Sequence, residues 1–162
     1  MLESFQPKFY VRLSPSHLSV RNTDNSRTVD GTPLLAIDTR GNRKIIALGD
    51  EATQHMNDPT VLVLNPFNHP RTLISDFTAA EALLKGFVKK LLEQASWFQP
   101  APVIIMHPCV NPEGGFTQVE LRALHELCLG AGASKAKGWH GRELTDHEIR
   151  TGSYPTDGTV LW

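Results

Sequence analysis

Pro102-Val103-Ile104-Ile105-Met106 is an apolar run without alternation, set between two helical patterns. A strand with one wet face alternates apolar and polar residues, whereas a strand covered on both faces reads as continuous apolar chain. The run is therefore expected to be a central strand. Upstream, Ala80, Leu83, Leu84, Phe87, Val88, Leu91 and Leu92 recur at helical spacing, with Glu81, Lys85, Lys89 and Glu93 opposite. That helix is expected to start near Thr78, with Thr78 and Glu81 as a capping box. Lys85, Lys89 and Lys90 read as its solvated face rather than a binding stripe. Downstream, Thr117-Gln118-Val119-Glu120 is a second capping box, Leu121, Leu124, Leu127 and Cys128 mark a buried side, and Gly130-Ala131-Gly132 closes the helix. Helix, buried strand and helix in succession make a mixed α/β domain.

Nearer the N-terminus, Lys8 to Leu13 and His17 to Asn22 flank a Ser-Pro-Ser turn and predict a hairpin. Thr23 to Gly31 reads as a polar loop leading to the run Pro33 to Asp38. Arg40-Gly41-Asn42 turns the chain into Lys44 to Leu48, a second hairpin signature. Gly49 to Met56 predicts a short helix capped by Asp50, and Val61 to Leu64 a further strand. Near the other end, Leu144 to Ile149 predicts a short helix capped by Thr145, with Glu148 three residues on.

The chain has 162 residues, enough for about one domain, with the 40% apolar and 20% charged content of a soluble globular protein. Sixteen basic and seventeen acidic residues nearly cancel, so no nucleic-acid partner is indicated. No apolar run approaches the roughly 20 residues of a membrane helix, so membrane contact is not indicated. Met1 to Lys8 lacks the basic and apolar regions of a secretory signal. With Cys109 and Cys128 as its two cysteines, the chain is expected in a reduced cytoplasm.

Four segments in order and spacing carry a resemblance: Ala47-Leu48-Gly49-Asp50-Glu51-Ala52, Leu73 to Glu81, Pro102 to Pro108, and Phe116 to Ala123 closing with Gly130 to Ala133. Together they resemble the N-terminal half of the MreB family, the bacterial actin-like rod-shape proteins, from Phe9 to Ser134. The resemblance implies half of an actin-like, ribonuclease H-like fold: a three-stranded meander, a small inserted subdomain and a helix–strand–helix completion. Residues 1–134 would form that unit, with 135–162 a divergent tail packing on it or extending it. Members of the family bind ATP between two such halves, form membrane-associated filaments and guide cell-wall synthesis.

The family's first phosphate loop reads Asp-Leu-Gly-Thr. Glycine lets backbone N–H groups approach phosphates, and the acid orders the water shell of the metal. In the segment Arg12-Leu13-Ser14-Pro15, arginine stands at the acidic position, serine at the glycine and proline at the threonine. Proline has no N–H to donate. The loop is expected to be degenerate, although arginine can also hold a phosphate directly. Glu120 aligns with the glutamate that orients the attacking water, and it is equally the carboxylate of a capping box. The strand preceding the family's second phosphate loop aligns near Gly158 to Trp162, where the sequence ends, so that loop is expected to be missing.

Other chemistry has weaker signals. His107 with Cys109 and His125 with Cys128 are the close His/Cys pairs, without the paired-cysteine spacing of a zinc site. Cys109 with His107 or His125 as base would make a thiol nucleophile. Trp97, Phe98, Trp139, Tyr154 and Trp162 either fill the core or serve as interface anchors. The combined expectation is a cytoplasmic MreB-like protein without an intact ATP site, cofactor or metal, and not an enzyme. It would act by association with a protein partner or with itself in a cell-shape or cytoskeletal context. The alternative is a residual nucleotide-binding protein or ATPase using Glu120.

Overall fold

The strand Val103–Pro108 lies in the middle of a six-stranded sheet, and the rest of the molecule is arranged about it. The structure is a computed structural model that describes residues 5–95 and 98–162. In chain order the large sheet is built from β1 (Lys8–Leu13), β2 (Leu18–Asn22) and β3 (Thr28–Gly31). Next come three strands of a smaller sheet, β4 (Leu35–Asp38), β5 (Ile45–Leu48) and β6 (Val61–Leu64), with a 3-10 helix at Gly49–His55. Helix α1 (Phe77–Glu93), β7 (Val103–Pro108), α2 (Gln118–Gly130), β8 (Lys135–His140), α3 (Asp146–Thr151) and β9 (Thr159–Val160) complete the chain.

The large sheet has the order β3-β2-β1-β7-β8-β9. β1 to β3 form an antiparallel meander, β7 runs parallel to β1, β8 parallel to β7, and β9 antiparallel to β8. The small sheet, order β5-β4-β6, is inserted between β3 and α1 and has its own core of Leu34, Ala36, Ala47 and Ala52. It approaches α1 at Gly86, where a Cβ would overlap the Leu48 side chain.

Successive side chains of a strand point to opposite faces, and β1 shows what that does here. Phe9, Val11 and Leu13 join the main core with α1 and α2, whereas Tyr10 belongs to a second cluster with Ile105, Trp139, Leu144 and Ile149. α1 buries Ala79, Ala80, Leu83, Leu84, Phe87, Val88 and Leu91 against the sheet. At about 1.5–3 kcal/mol for each large apolar side chain, this face is the main source of stability. Leu144, Ile149 and Tyr154 cover the opposite face, whereas Trp162 packs with the main core beside His125 of α2.

Several local expectations change. Thr28–Gly31, read as loop, is the edge strand β3. Asp50 does not cap the 3-10 helix; its carboxylate accepts the Thr32 N–H (2.8 Å) and ties that helix to the end of β3. α1 begins one residue earlier than expected and is capped by Asp76, which accepts from Ala79 N–H, so Thr78 and Glu81 form no capping box. The capping boxes of Thr117 with Glu120 and of Thr145 with Glu148 both form. Lys135–His140, read as part of a tail, is β8 and pairs in continuous register with β7.

Candidate functional site

The turn between β1 and β2 is where a phosphate loop would sit, and its backbone is already engaged. Ser14 N–H donates to His17 O (2.9 Å), while His17 N–H donates to Ser14 Oγ (3.1 Å). Pro15 supplies no donor. Its carbonyl accepts from Asn65 Nδ2 (2.7 Å), which fastens the turn to the segment after β6. Leu13 is buried in the main core.

Arg12 points away from this turn, onto the face covered by Leu144 and α3. Its guanidinium meets the Glu143 carboxylate at 3.2 Å. Arg21 meets Asp146 at 2.9 Å and Glu143 at 3.5 Å, and lies over the Tyr10 ring. Beneath these ion pairs Tyr10 OH is 2.5 Å from His107 Nδ1 and accepts the Leu144 N–H at 3.1 Å. A hydroxyl accepting from Leu144 donates its own proton to a neutral imidazole. Burial, with Arg12 nearby, pulls His107 down to about 4, and burial pushes Tyr10 up to about 12. Both groups are therefore neutral at pH 7.

Glu120 does reach the turn's neighbourhood. It lines a groove of about 370 Å³ together with Pro15, Arg71, Val110 and Phe116. Within that groove its Oε2 accepts from Thr117 N–H (2.8 Å) and Thr117 Oγ (3.0 Å), the capping-box role. The fold thus brings Glu120 and Pro15 to one groove and places Arg12 elsewhere.

The aromatic candidates separate. Trp139 is fully buried, stacked on Tyr154, with its indole N–H donating to Arg142 O (2.8 Å), so it is a core residue rather than a surface anchor. Trp162 is half-buried, its ring resting where a Gly138 Cβ would be, and its indole donates to Ala136 O (3.2 Å). Phe98 is 95% exposed. Trp97 lies outside the described residues.

Cys109 is exposed at the end of β7, its thiol 3.5 Å from His107 O, while Cys128 is buried and its thiol is pushed up to about 12. His125 packs against Trp162 edge to face. Among the described residues no three His, Cys, Asp or Glu side chains gather as a metal site, and no helix is long and apolar enough to cross a membrane. The residues that sequence reasoning missed are Glu143 and Tyr10, while His107, read as a base beside Cys109, is instead the buried partner of Tyr10. An arginine in place of an acid signals that a carboxylate should stand opposite, but its position 131 residues along the chain is a property of the fold.

Comparison with known proteins agrees with this architecture. The cell shape-determining protein MreB of Haemophilus influenzae is 31% identical over 93 residues, 56% of this chain and 24% of its own length. The uncharacterized protein YjaA of Escherichia coli is 35% identical over 78 residues, 46% of this chain and 61% of its own. The chain thus spans less than two thirds of either relative. MreB5 of Spiroplasma citri bound to ADP superposes with a TM-score of 0.63 at 19% identity, over 82% of this chain and 37% of that one. A non-polymerising mutant of MamK bound to AMPPNP gives 0.64 at 15% identity, over 83% and 41%. These likenesses identify the fold as part of an actin-like one. The model of the MreB/Mbl protein family matches residues 13–138, well over half of the sequence, and the chain belongs to that family.

Proposed function

We propose that the chain is a degenerate MreB-like protein that lacks an intact ATP site and works by protein–protein association in a cell-shape or cytoskeletal setting. The observation that carries this reading is Arg12. At the position of the family's acidic residue stands a cation whose partner is Glu143, on the face opposite the turn. Pro15 and the internal hydrogen bonds of Ser14 and His17 remove donors that a phosphate would need. Kinship with a cell shape-determining protein supports the setting. MreB5 and MamK are described with nucleotides, so loss of nucleotide binding here would set this chain apart from them.

Calorimetric titration with magnesium ATP tests the first half of the proposal. A flat titration is expected, and saturable micromolar heat would overturn it. Sedimentation over a concentration series tests association, which is expected to proceed without nucleotide. The groove shared by Pro15 and Glu120 is the one observation favouring a residual nucleotide site. Under that second reading Glu120→Gln would abolish turnover at unchanged helix content.

A further inference from the structure

Among the described residues the two sheets end in four outer strands, β3 and β9 on the large sheet and β5 and β6 on the small one. A strand edge with free N–H and C=O groups is a template for another strand, and proteins blunt such edges with charges, bulges or very short strands. β3 carries Asp30, and β9 has two residues. β5 follows Arg43 and Lys44, and its register against β4 shifts between Ala36 and Ile37. β6, Val61-Leu62-Val63-Leu64, has none of these devices: no charge, no proline and an unbroken register with β4.

The register also shows which groups β6 leaves free. One step past the Asp38–Val61 pair, Thr39 N–H donates to Thr60 O (2.9 Å), so Thr60 faces β4. Hydrogen-bonded and non-bonded pairs alternate along an antiparallel ladder. Leu62 and Leu64 therefore bond to β4, while Val61 and Val63 turn their backbone groups outward. Asp58 O takes the Val61 N–H (3.1 Å), but Val61 O and both groups of Val63 have no hydrogen-bond partner among the described residues. Between them Leu62 is 46% exposed, in one row with Ile37 and the exposed Ile45.

We infer that the chain forms a two-fold dimer in which β6 pairs antiparallel with β6 of a second copy, Leu62 opposite Leu62. In that register the Val63 N–H of each copy meets the Val61 carbonyl of the other, so every free donor falls on a free acceptor. The two leucines form a non-hydrogen-bonded pair, with Cα atoms about 4.5 Å apart, and join the apolar rows of both small sheets. The edge is its own complement: it holds no charge to repel its copy and none to select a charged partner strand. Pairing uses up both β6 edges, and the bulge and cations of β5 blunt the far side, so the contact closes at two. A four-residue edge makes a small interface, which places the dimer in the weak, transient class. The inference rests on the association reading, for which it names the partner and the surface.

Sedimentation velocity of the full chain over a concentration series tests this, with circular dichroism to check the fold of each variant. The wild type is expected to dimerise. Leu62→Lys and Leu62→Glu should each raise the dissociation constant about tenfold, because like charges then face each other across the two-fold axis. Leu62 is exposed, so neither change disturbs the core. Mixing the two variants should restore association, since opposite charges then meet; neither misfolding nor a contact elsewhere would give that result. A chain that stays monomeric, variants that associate like the wild type, or a mixture no more associated than its components would each overturn the proposal. Association indifferent to Leu62 would leave the association reading standing without this surface. Magnesium ATP binding beside a Leu62-dependent dimer would break the nucleotide-free reading and leave this one standing.

Discussion

On one face of the large sheet β1 presents Phe9, Val11 and Leu13 to two amphipathic helices; on the other it presents Lys8, Tyr10 and Arg12 to a segment whose one helix has six residues. The first face excludes water with aliphatic and aromatic volume. The second combines a five-residue cluster with ion pairs and a buried hydrogen-bonded pair, Tyr10 and His107. Hydrophobic burial is non-directional and tolerates many arrangements. Charges and buried polar groups must meet particular partners or be penalised. The two faces should therefore fail differently, and the face that carries Arg12 is the one built from specific pairs.

The largest effect is expected on the helical face. Phe87→Ala removes a fully buried ring that packs against Gly49 and should destabilise by about 3–5 kcal/mol. Ile149→Ala, at the margin of the smaller cluster, should lie near the lower end of the range for aliphatic truncations, about 2 kcal/mol. Urea unfolding of both variants checks the ranking, and a reversal would mean that the cluster of Leu144 and Ile149 with Tyr10 holds the domain together.

The second effect is a pH dependence confined to the other face. His107 titrates near 4 when folded against 6.5 when free, so the unfolded chain binds more protons between those values. Its contribution is complete above pH 6.5 and is lost as pH falls toward 4, by about 2–3 kcal/mol between pH 7 and 4.5. The groups facing it are Tyr10 and Arg12 from β1, His140 from β8, and Gly141 and Glu143 beyond β8. His107→Asn should flatten this slope. If the variant keeps the wild-type slope, the dependence arises elsewhere.

Tyr10→Phe isolates the hydrogen bonds from the volume. It keeps the ring beneath Arg21 but leaves His107 Nδ1 and the Leu144 N–H without their partner, at a cost of about 1–3 kcal/mol. Thermal unfolding measures it. A loss confined to the last few tenths of a kcal/mol would mean that water replaces the hydroxyl.

The contrast between the faces also explains what could be read in advance. α1, β7 and α2 were legible because their apolar spacing repeats locally, and the Thr117 and Thr145 capping boxes because their partners are three residues apart. β8 was not, since Lys135-Ala136-Lys137-Gly138 carries little apolar signal and gains its strand state by pairing with β7. Asp50 and Asp76 show the same limit on a smaller scale. Both are acids near a helix start, but one caps the helix and the other bonds the distant Thr32. At the candidate site the residues of the β1–β2 turn could be read directly, among them a proline with no N–H to donate. Glu143, which receives Arg12, could not, because the pairing depends on how the chain folds back.

That pairing gives the smallest predicted effect and the closest test of why Arg12 is there. Arg12 and Glu143 are both partly exposed, so their coupling in a double-mutant cycle of Arg12→Ala and Glu143→Ala should be only about 0.2–1 kcal/mol. The sign matters more than the size. Glu143 also approaches Arg21, which in turn holds Asp146 at the start of α3, so removing Glu143 leaves two guanidinium groups facing each other with one carboxylate fewer. Removing Arg12 should therefore cost less in the Glu143→Ala background than in the wild type. The exchange Arg12→Glu with Glu143→Arg should recover part of the loss only if the pair acts on its own, and should fail if Arg21 is the dominant neighbour. A coupling of zero, with the exchange fully tolerated, would mean that Arg12 is held by packing of its stem rather than by charge. The charge of Arg12 would then serve no structural purpose on this face.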